Sequence, residues 1–232
     1  MKSLPPLHLE QFHFYSPDAP LRCVRRDLPH WEQDEVCAFV TFRTADALPE
    51  TVIREWVAGR NAWLRANGIN PDEGDWRSAL EELPEGTVSS FHRQFTARLH
   101  ELLDAGHGEC LLRRPDLRQI VEESLMHWHG ERCLLAGWVI MPNHVHLLVQ
   151  PMREWSLLDL CLSWKQWTAH HIHRALGRSG HFWQGEGWDH LLRRAGYLLK
   201  YRRYMRRNPV KAKLRDDEYS LWMPGIEGLD EE

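Results

Sequence analysis

The sequence predicts an α+β fold in which an antiparallel sheet has helices packed on one face, the ferredoxin-like or RRM-like arrangement. Three observations lead there. Runs rich in Val, Ile, Leu and Phe, of strand length, occur at 36–44, 132–141 and 144–151. The last two are separated only by Pro142 and Asn143, a hairpin signal. Longer segments between the strands repeat apolar residues at helical spacing, so the order reads strand, helix, strand, strand, helix, strand, helix.

Taken in order, residues 1–30 are punctuated by prolines and are read as an irregular arm or a strap across the domain. "VCAFVTFRT" (36–44) alternates as a strand, with Phe39, Thr41 and Arg43 on one side. "PETVIREWVAGRNAWLRAN" (49–67) is an amphipathic helix with Pro49 near its start and Gly68 past its end. Residues 66–90 are acidic and rich in turn formers, and are read as a partly helical insertion. Helices follow at 89–105 and 115–129, the second opening on Pro115 and Asp116. After the hairpin comes a helix at 157–176 stopped by Gly177, then at least one strand within 182–194. A basic helix at 196–208 ends near Pro209. The predicted organisation is an arm (1–30), one catalytic domain (31–215) carrying the insertion, and an acidic C-terminal tail (216–232).

Composition narrows the function classes. A chain of 232 residues, 43% hydrophobic and 27% charged, is suited to one compact domain with elaborations. No apolar run approaches the roughly 18 residues of a membrane span, and the N-terminus lacks the continuous apolar core of a signal peptide. The five cysteines (Cys23, Cys37, Cys110, Cys133, Cys161) form no C-x-x-C, which argues against a zinc ribbon or disulfide framework and for a reducing cytoplasm. The net charge of −4 conceals an asymmetry: residues 151–215 hold 14 Lys and Arg against 4 acids, and 195–215 hold eight basic residues and no acid. Such a stretch predicts a polyanion-binding face.

The chemistry starts at "VIMPNHVHLLVQ" (139–150). On a strand, His144 and His146 project from the same face about 6–7 Å apart while Val145 points into the opposite core. Two neutral imidazoles so placed can converge on one divalent cation. His171 and His173 repeat the spacing, but on a helix residues two apart do not face each other. In "YRRYMRRNPVKAKL" (201–214), Tyr204 and Asn208 are four apart and stack on one helix face. The Asn208 amide oxygen suits a hard cation such as Mg²⁺ or Mn²⁺ as a third ligand, and the Tyr204 phenol can act as a nucleophile toward phosphorus. Tyr197 and Tyr201 share that face, and periodicity alone does not choose among the three. Only Tyr204 has an asparagine four residues on; Tyr201 is the fallback.

"GWVIMPNHVHLLV" followed about 60 residues later by "YMRRNPVKAKL" resembles the REP-associated tyrosine transposases, within the HUH class of single-tyrosine transposases. "HVH" stands as the His-hydrophobic-His motif on a central strand, and Tyr204 stands where the family's tyrosine does. Met205 replaces a usual isoleucine and Lys213 a common glycine. The resemblance extends through "LPHWEQ", "FVTFRTADALP", "SWKQWTAHHI" and "FWQGEGWDHLLRR". It implies metal-dependent cleavage and rejoining of single-stranded, hairpin-bearing (REP-type) DNA through a 5′-phosphotyrosine intermediate. Tyr204 would be the nucleophile, with Mg²⁺ or Mn²⁺ on His144, His146 and Asn208. The DNA-contact candidates are Arg193, Arg194, Lys200, Arg202, Arg203, Arg206, Arg207, Lys211, Lys165 and Trp164, with Trp167 and Trp183 as further stacking candidates. Glu186 and Asp189 would tune the site or pair with arginines. A bacterial, cytoplasmic, nucleoid-associated protein acting as a monomer is expected, a dimer being the other possibility. The competing class is a domesticated hairpin-binding protein that no longer cuts.

Overall fold

The computed structural model describes residues 6–25, 29–72, 76–104, 106–185 and 187–229. Nine strands are present among them: β1 (Leu7–His8), β2 (Arg22–Arg25), β3 (Pro29–Glu32), β4 (Ala38–Arg43), β5 (Cys133–Ile140), β6 (His144–Pro151), β7 (Trp188–Leu191), β8 (Ser220–Trp222) and β9 (Ile226–Glu227). The helices are α1 (Glu50–Ala66), α2 (Trp76–Glu81), α3 (Glu85–Phe91), α4 (Ala97–Asp104), α5 (Pro115–His127), α6 (Leu157–Leu176) and α7 (Ala195–Lys211). A π-helical stretch (His92–Thr96) joins α3 to α4.

The main sheet runs β7-β4-β6-β5-β8, with every neighbouring pair antiparallel. Ignoring the added edge strand β8, the four strands, numbered along the chain, lie across the sheet in the order 4-1-3-2, and helices make the crossovers β4 to β5 and β6 to β7. This is the ferredoxin-like topology that the sequence pattern predicts. The hairpin turn falls where expected, with the Met141 N–H donating to the His144 carbonyl at 2.8 Å. Helix α6 also has the predicted limits. Its Ser156 side chain accepts from the Asp159 N–H at 3.0 Å, and Gly177 ends it in the left-handed region at φ 62°.

The layering differs from expectation. Helices α5 and α6 cover one face, where Val40, Phe42, Val145 and Leu147 meet Leu117, Val121, Leu160 and Trp164. Helix α7 covers the other, where Phe39, Val139 and Leu148 meet Leu198 and Met205. Every residue of β6 is buried, so both faces need cover and the sheet lies between two helical layers. A bulge between Leu135 and Gly137 resets the alternation of β5, which is how Leu135 and Trp138 share a face. Gly137 sits at φ 146°, and a Cβ there would come within 2.6 Å of the Met223 sulfur.

The insertion and the C-terminal segment are both structured. The stretch 66–90, read as a partly helical insertion, gives α2 and α3. These join α1 around a core of their own: Leu64, Ile69, Trp76, Leu80, Phe91 and Phe95. Residues 216–232 are not a tail over their described part. Strand β8 extends the sheet beyond β5, and β9 pairs in parallel with β1, which also gives the N-terminal arm a regular anchor. The buried Arg118 ties this segment down, donating to the Asp217 carbonyl at 2.7 Å and the Ser220 hydroxyl at 3.0 Å. The acids of 216–218 hide an apolar "YSLWMPGI" behind them. Helix α7 runs through Pro209 to Lys211 instead of stopping before it.

Candidate active site

The site lies on the α7 face of the sheet, at the hairpin end of β6. Register sets Thr41 of β4 opposite His146 and Arg43 opposite His144, so all four side chains share the face that α7 covers. Both histidines are buried, their ring centroids 4.7 Å apart.

Hydrogen bonds fix the imidazole tautomers. Asn143 donates its amide to the His107 carbonyl at 2.9 Å, which turns its Oδ1 toward His144 Nδ1 at 2.8 Å. An amide oxygen accepts only, so Nδ1 of His144 carries the proton and Nε2 the lone pair. A second chain starts at Asn208, whose amide donates to the Tyr204 hydroxyl at 3.2 Å. That hydroxyl is 3.3 Å from His146 Nε2, and His146 Nδ1 is 2.7 Å from the Thr41 hydroxyl. An amide nitrogen donates only, so one consistent direction runs from Asn208 through Tyr204 and His146 to Thr41. Both Nε2 atoms then hold lone pairs, and that of His146 faces Tyr204 on α7. Phe39 stacks against His146 at 5.3 Å and keeps the ring from turning.

Whether a divalent cation fits is tested by Asn208. Its Oδ1 is buried and has no hydrogen-bond partner among the described residues, a costly state for an amide oxygen. Two imidazole nitrogens and that oxygen form a donor set suited to a borderline or hard divalent ion. The residues fit the group. Among the described residues no cluster of three or more His, Cys, Asp or Glu could hold a metal instead.

The three tyrosines of α7 are placed differently. Tyr204 is half-buried and reaches His146. Tyr201 lies face to face on Phe39 at 4.1 Å, and burial pushes its phenol well above the ordinary value. The Tyr197 ring is half-buried, with Lys200 5.6 Å from its centroid.

The predicted DNA contacts divide. Arg193, Arg194, Lys200, Arg203, Arg206, Arg207 and Lys211 are exposed. Lys200, Arg207 and Lys211 are spaced so that they share the helical stripe of Tyr204. Arg202 is corrected: it is fully buried and donates to the carbonyls of Ala136 and Pro224, binding α7 to β5 and to the C-terminal segment. Trp164 is corrected too, because it is 1% exposed within the α6 core and offers no ring to a base. Trp183 is likewise interior, donating its indole N–H to Thr168 at 2.8 Å. Lys165 donates to the Gly185 carbonyl at 2.7 Å, and Trp167 is exposed and stacked on His171 at 3.9 Å. Glu186 lies outside the described residues, and the backbone of Asp189 pairs with Val40 in β7.

Asn143, Thr41 and Phe39 are site residues that the sequence motifs do not single out. The signal is present, since Phe39, Thr41 and Arg43 alternate on one strand face. What the sequence lacks is that β4 pairs with β6, and in which register. No helix among the described residues is long and apolar enough to cross a membrane.

A search of curated proteins found no match to this chain. A solved structure of a REP-associated tyrosine transposase bound to a REP hairpin is similar at 13% identity and a TM-score of 0.41, covering 81% of this chain and 72% of that one. Residues 113–192, roughly a third of the chain, match the model of the transposase IS200-like family. That segment contains the hairpin and both histidines, so over these residues the chain is similar to the IS200-like transposases, the direction in which the sequence resemblance points; Tyr204 and Asn208 lie beyond the matched residues.

Proposed function

We propose that this protein cleaves and rejoins single-stranded, hairpin-bearing DNA, with Tyr204 as nucleophile and a divalent cation, Mg²⁺ or Mn²⁺, on His144, His146 and Asn208. The observation that carries the reading is the Tyr204 hydroxyl. It stands within hydrogen-bonding distance of both His146 and Asn208, and the His144 ring lies 4.7 Å from that of His146. The family match over 113–192 supports a transposase chemistry for the same hairpin.

A bound cation would supply Lewis-acid polarisation of the scissile phosphate. The chain's own residues do the rest. The Tyr204 oxygen attacks phosphorus and loses its proton to solvent. The bond from phosphorus to the 3′ oxygen breaks, and that oxygen leaves as a hydroxyl after taking up a proton. The 5′ phosphate remains on the tyrosine. Because the ester bond is exchanged and not hydrolysed, the free 3′-OH can reverse the step without a nucleotide cofactor. Asn208 and Thr41 hold the tyrosine and His146 in position before attack, which removes an ordering cost from the barrier. Lys200, Arg207 and Lys211, along the Tyr204 stripe, would receive the flanking phosphates.

The test is incubation of the protein with a pool of labelled hairpin-bearing single strands in Mn²⁺ or Mg²⁺, resolved on a denaturing gel. The expected result is a covalent protein–DNA band in the wild type, lost in EDTA and in His144→Ala or His146→Ala, with much of the hairpin binding retained in both variants. Tight binding with no band under any metal condition would instead describe a domesticated hairpin binder.

A further inference from the structure

Next to the site is a cavity that the transposition chemistry does not use. It has a volume of about 730 Å³ and lies between the end of β4 and the helical layer of α1 to α4. That is within the roughly 300–1,000 Å³ of pockets that enclose drug-sized organic molecules. Arg43 connects the two places, because it lines the cavity and also stands opposite His144 on the last rung of the β4–β6 ladder.

Much of the lining is aliphatic, and planar groups gather on one wall, where Trp56, Trp76 and Arg60 stand together. Arg60 is 6% exposed, with its guanidinium 5.2 Å from the Trp56 ring centroid and 5.3 Å from that of Trp76. Its Nε and Nη2 donate to Asn61 Oδ1 at 3.0 and 2.8 Å. Arg60 thus holds its guanidinium plane in the wall, with two of its five N–H donors engaged by Asn61. Trp56 is held by its own N–H, which donates to the Phe95 carbonyl at 3.0 Å. Polar atoms stand at one end, where Arg43 Nε donates to Gln184 Oε1 at 2.6 Å. Two acids also line the cavity, and each is held by a surface arginine: Glu50 by Arg54, and Asp72 by Arg65 at 3.0 Å. Stacked aromatic and guanidinium planes with an amide at one end suit a nucleobase better than a phosphate, since every base offers a π-face and hydrogen-bonding edges.

We propose that this cavity receives one unpaired base of the DNA strand, close to the phosphate held at the histidine pair. The inference rests on the reading of the protein as a single-strand DNA transferase. It gives the α1–α4 layer a role in seating the strand, with Arg43 as the residue shared between the base and the cleavage site.

The experiment uses full-length protein labelled with 5-fluorotryptophan, with the Trp56 and Trp76 resonances assigned from single Trp→Phe variants. The probes are the four deoxynucleoside 5′-monophosphates and, as a base-free control, 2-deoxyribose 5-phosphate. At least one monophosphate is expected to shift Trp56 and Trp76 saturably while leaving Trp155, at the far end of the sheet, unmoved. Val57→Phe and Leu99→Phe, which fill the cavity from different helices, are each expected to weaken that binding by about tenfold. Three results would overturn the proposal: no shift up to roughly 10 mM, equal shifts with the base-free sugar phosphate, or full binding in both filled variants. Covalent adduct formation, measured separately, keeps the two readings apart. An adduct without tryptophan shifts removes the cavity and leaves the transferase, and shifts without an adduct do the reverse.

Discussion

Thr41 shows how the site depends on a residue with no reactivity of its own. Its hydroxyl, 2.7 Å from His146 Nδ1, orients the imidazole and leaves Nε2 facing α7. Partners of this kind commonly change metal affinity by about 10–100-fold when removed. Thr41→Val keeps the shape and removes the hydroxyl, so calorimetric titration with Mn²⁺ should show weakening in that range with little loss of fold. Unchanged affinity would mean that His146 is held by Phe39 stacking alone. The histidines, Tyr204 and Asn208 could be nominated from sequence because residue type, spacing and the family resemblance together point to them. Thr41 and Phe39 could not, because their roles exist only in the register between strands distant in the chain.

Among elements, helix α7 combines two duties that a count of basic residues confuses. Arg202 is an interior strut, and replacing it with alanine leaves the buried Ala136 carbonyl and the partly buried Pro224 carbonyl without their donor. A loss of about 2–4 kcal/mol is expected in denaturant unfolding, with DNA affinity in the surviving folded fraction keeping its salt dependence. Arg203 and Arg207 are exposed, and neutralising both should leave stability nearly unchanged. The slope of log affinity against log salt on single strands should then fall by roughly 0.7 for each phosphate that is no longer neutralised. If the Arg202 variant flattened the slope and the exposed pair did not, the DNA would lie elsewhere. Periodicity marks α7 as a helix, yet it does not tell that one arginine of four is turned inward. The same limit applies to Trp164: a tryptophan beside a lysine on an amphipathic helix reads equally as platform or core until the sheet beneath it is known.

For the whole molecule, the chain ends are part of the fold. Strand β8 covers the edge of β5, β9 joins β1, and Arg118 and Arg202 both reach carbonyls in the last fifth of the chain. Removing residues 219–232 takes away the Pro224 carbonyl and the Ser220 hydroxyl and bares a hydrophobic strand edge. Such a truncation is expected to lose about 3 kcal/mol or more of stability and to associate in light scattering. Full stability would show that the segment only decorates the sheet. The 4-1-3-2 sheet core was legible because alternation and the Pro142–Asn143 turn specify the strands locally. Strands β8 and β9 were not, since they are short, lie between acidic runs, and gain their pairing only from partners 80 or more residues away.

The central claim is that Tyr204 is the atom source for strand exchange, and matched phenylalanine variants test it most directly. Tyr204→Phe removes one oxygen and should change stability by about 1 kcal/mol or less. Tyr201→Phe is the control from one helical turn away, stacked on Phe39. With wild-type protein and hairpin DNA, peptide mass spectrometry of the covalent adduct should find the nucleotide on Tyr204. The adduct should be absent in Tyr204→Phe and retained in Tyr201→Phe. A nucleotide mapped to Tyr201, or an adduct that survives both substitutions, would contradict the account.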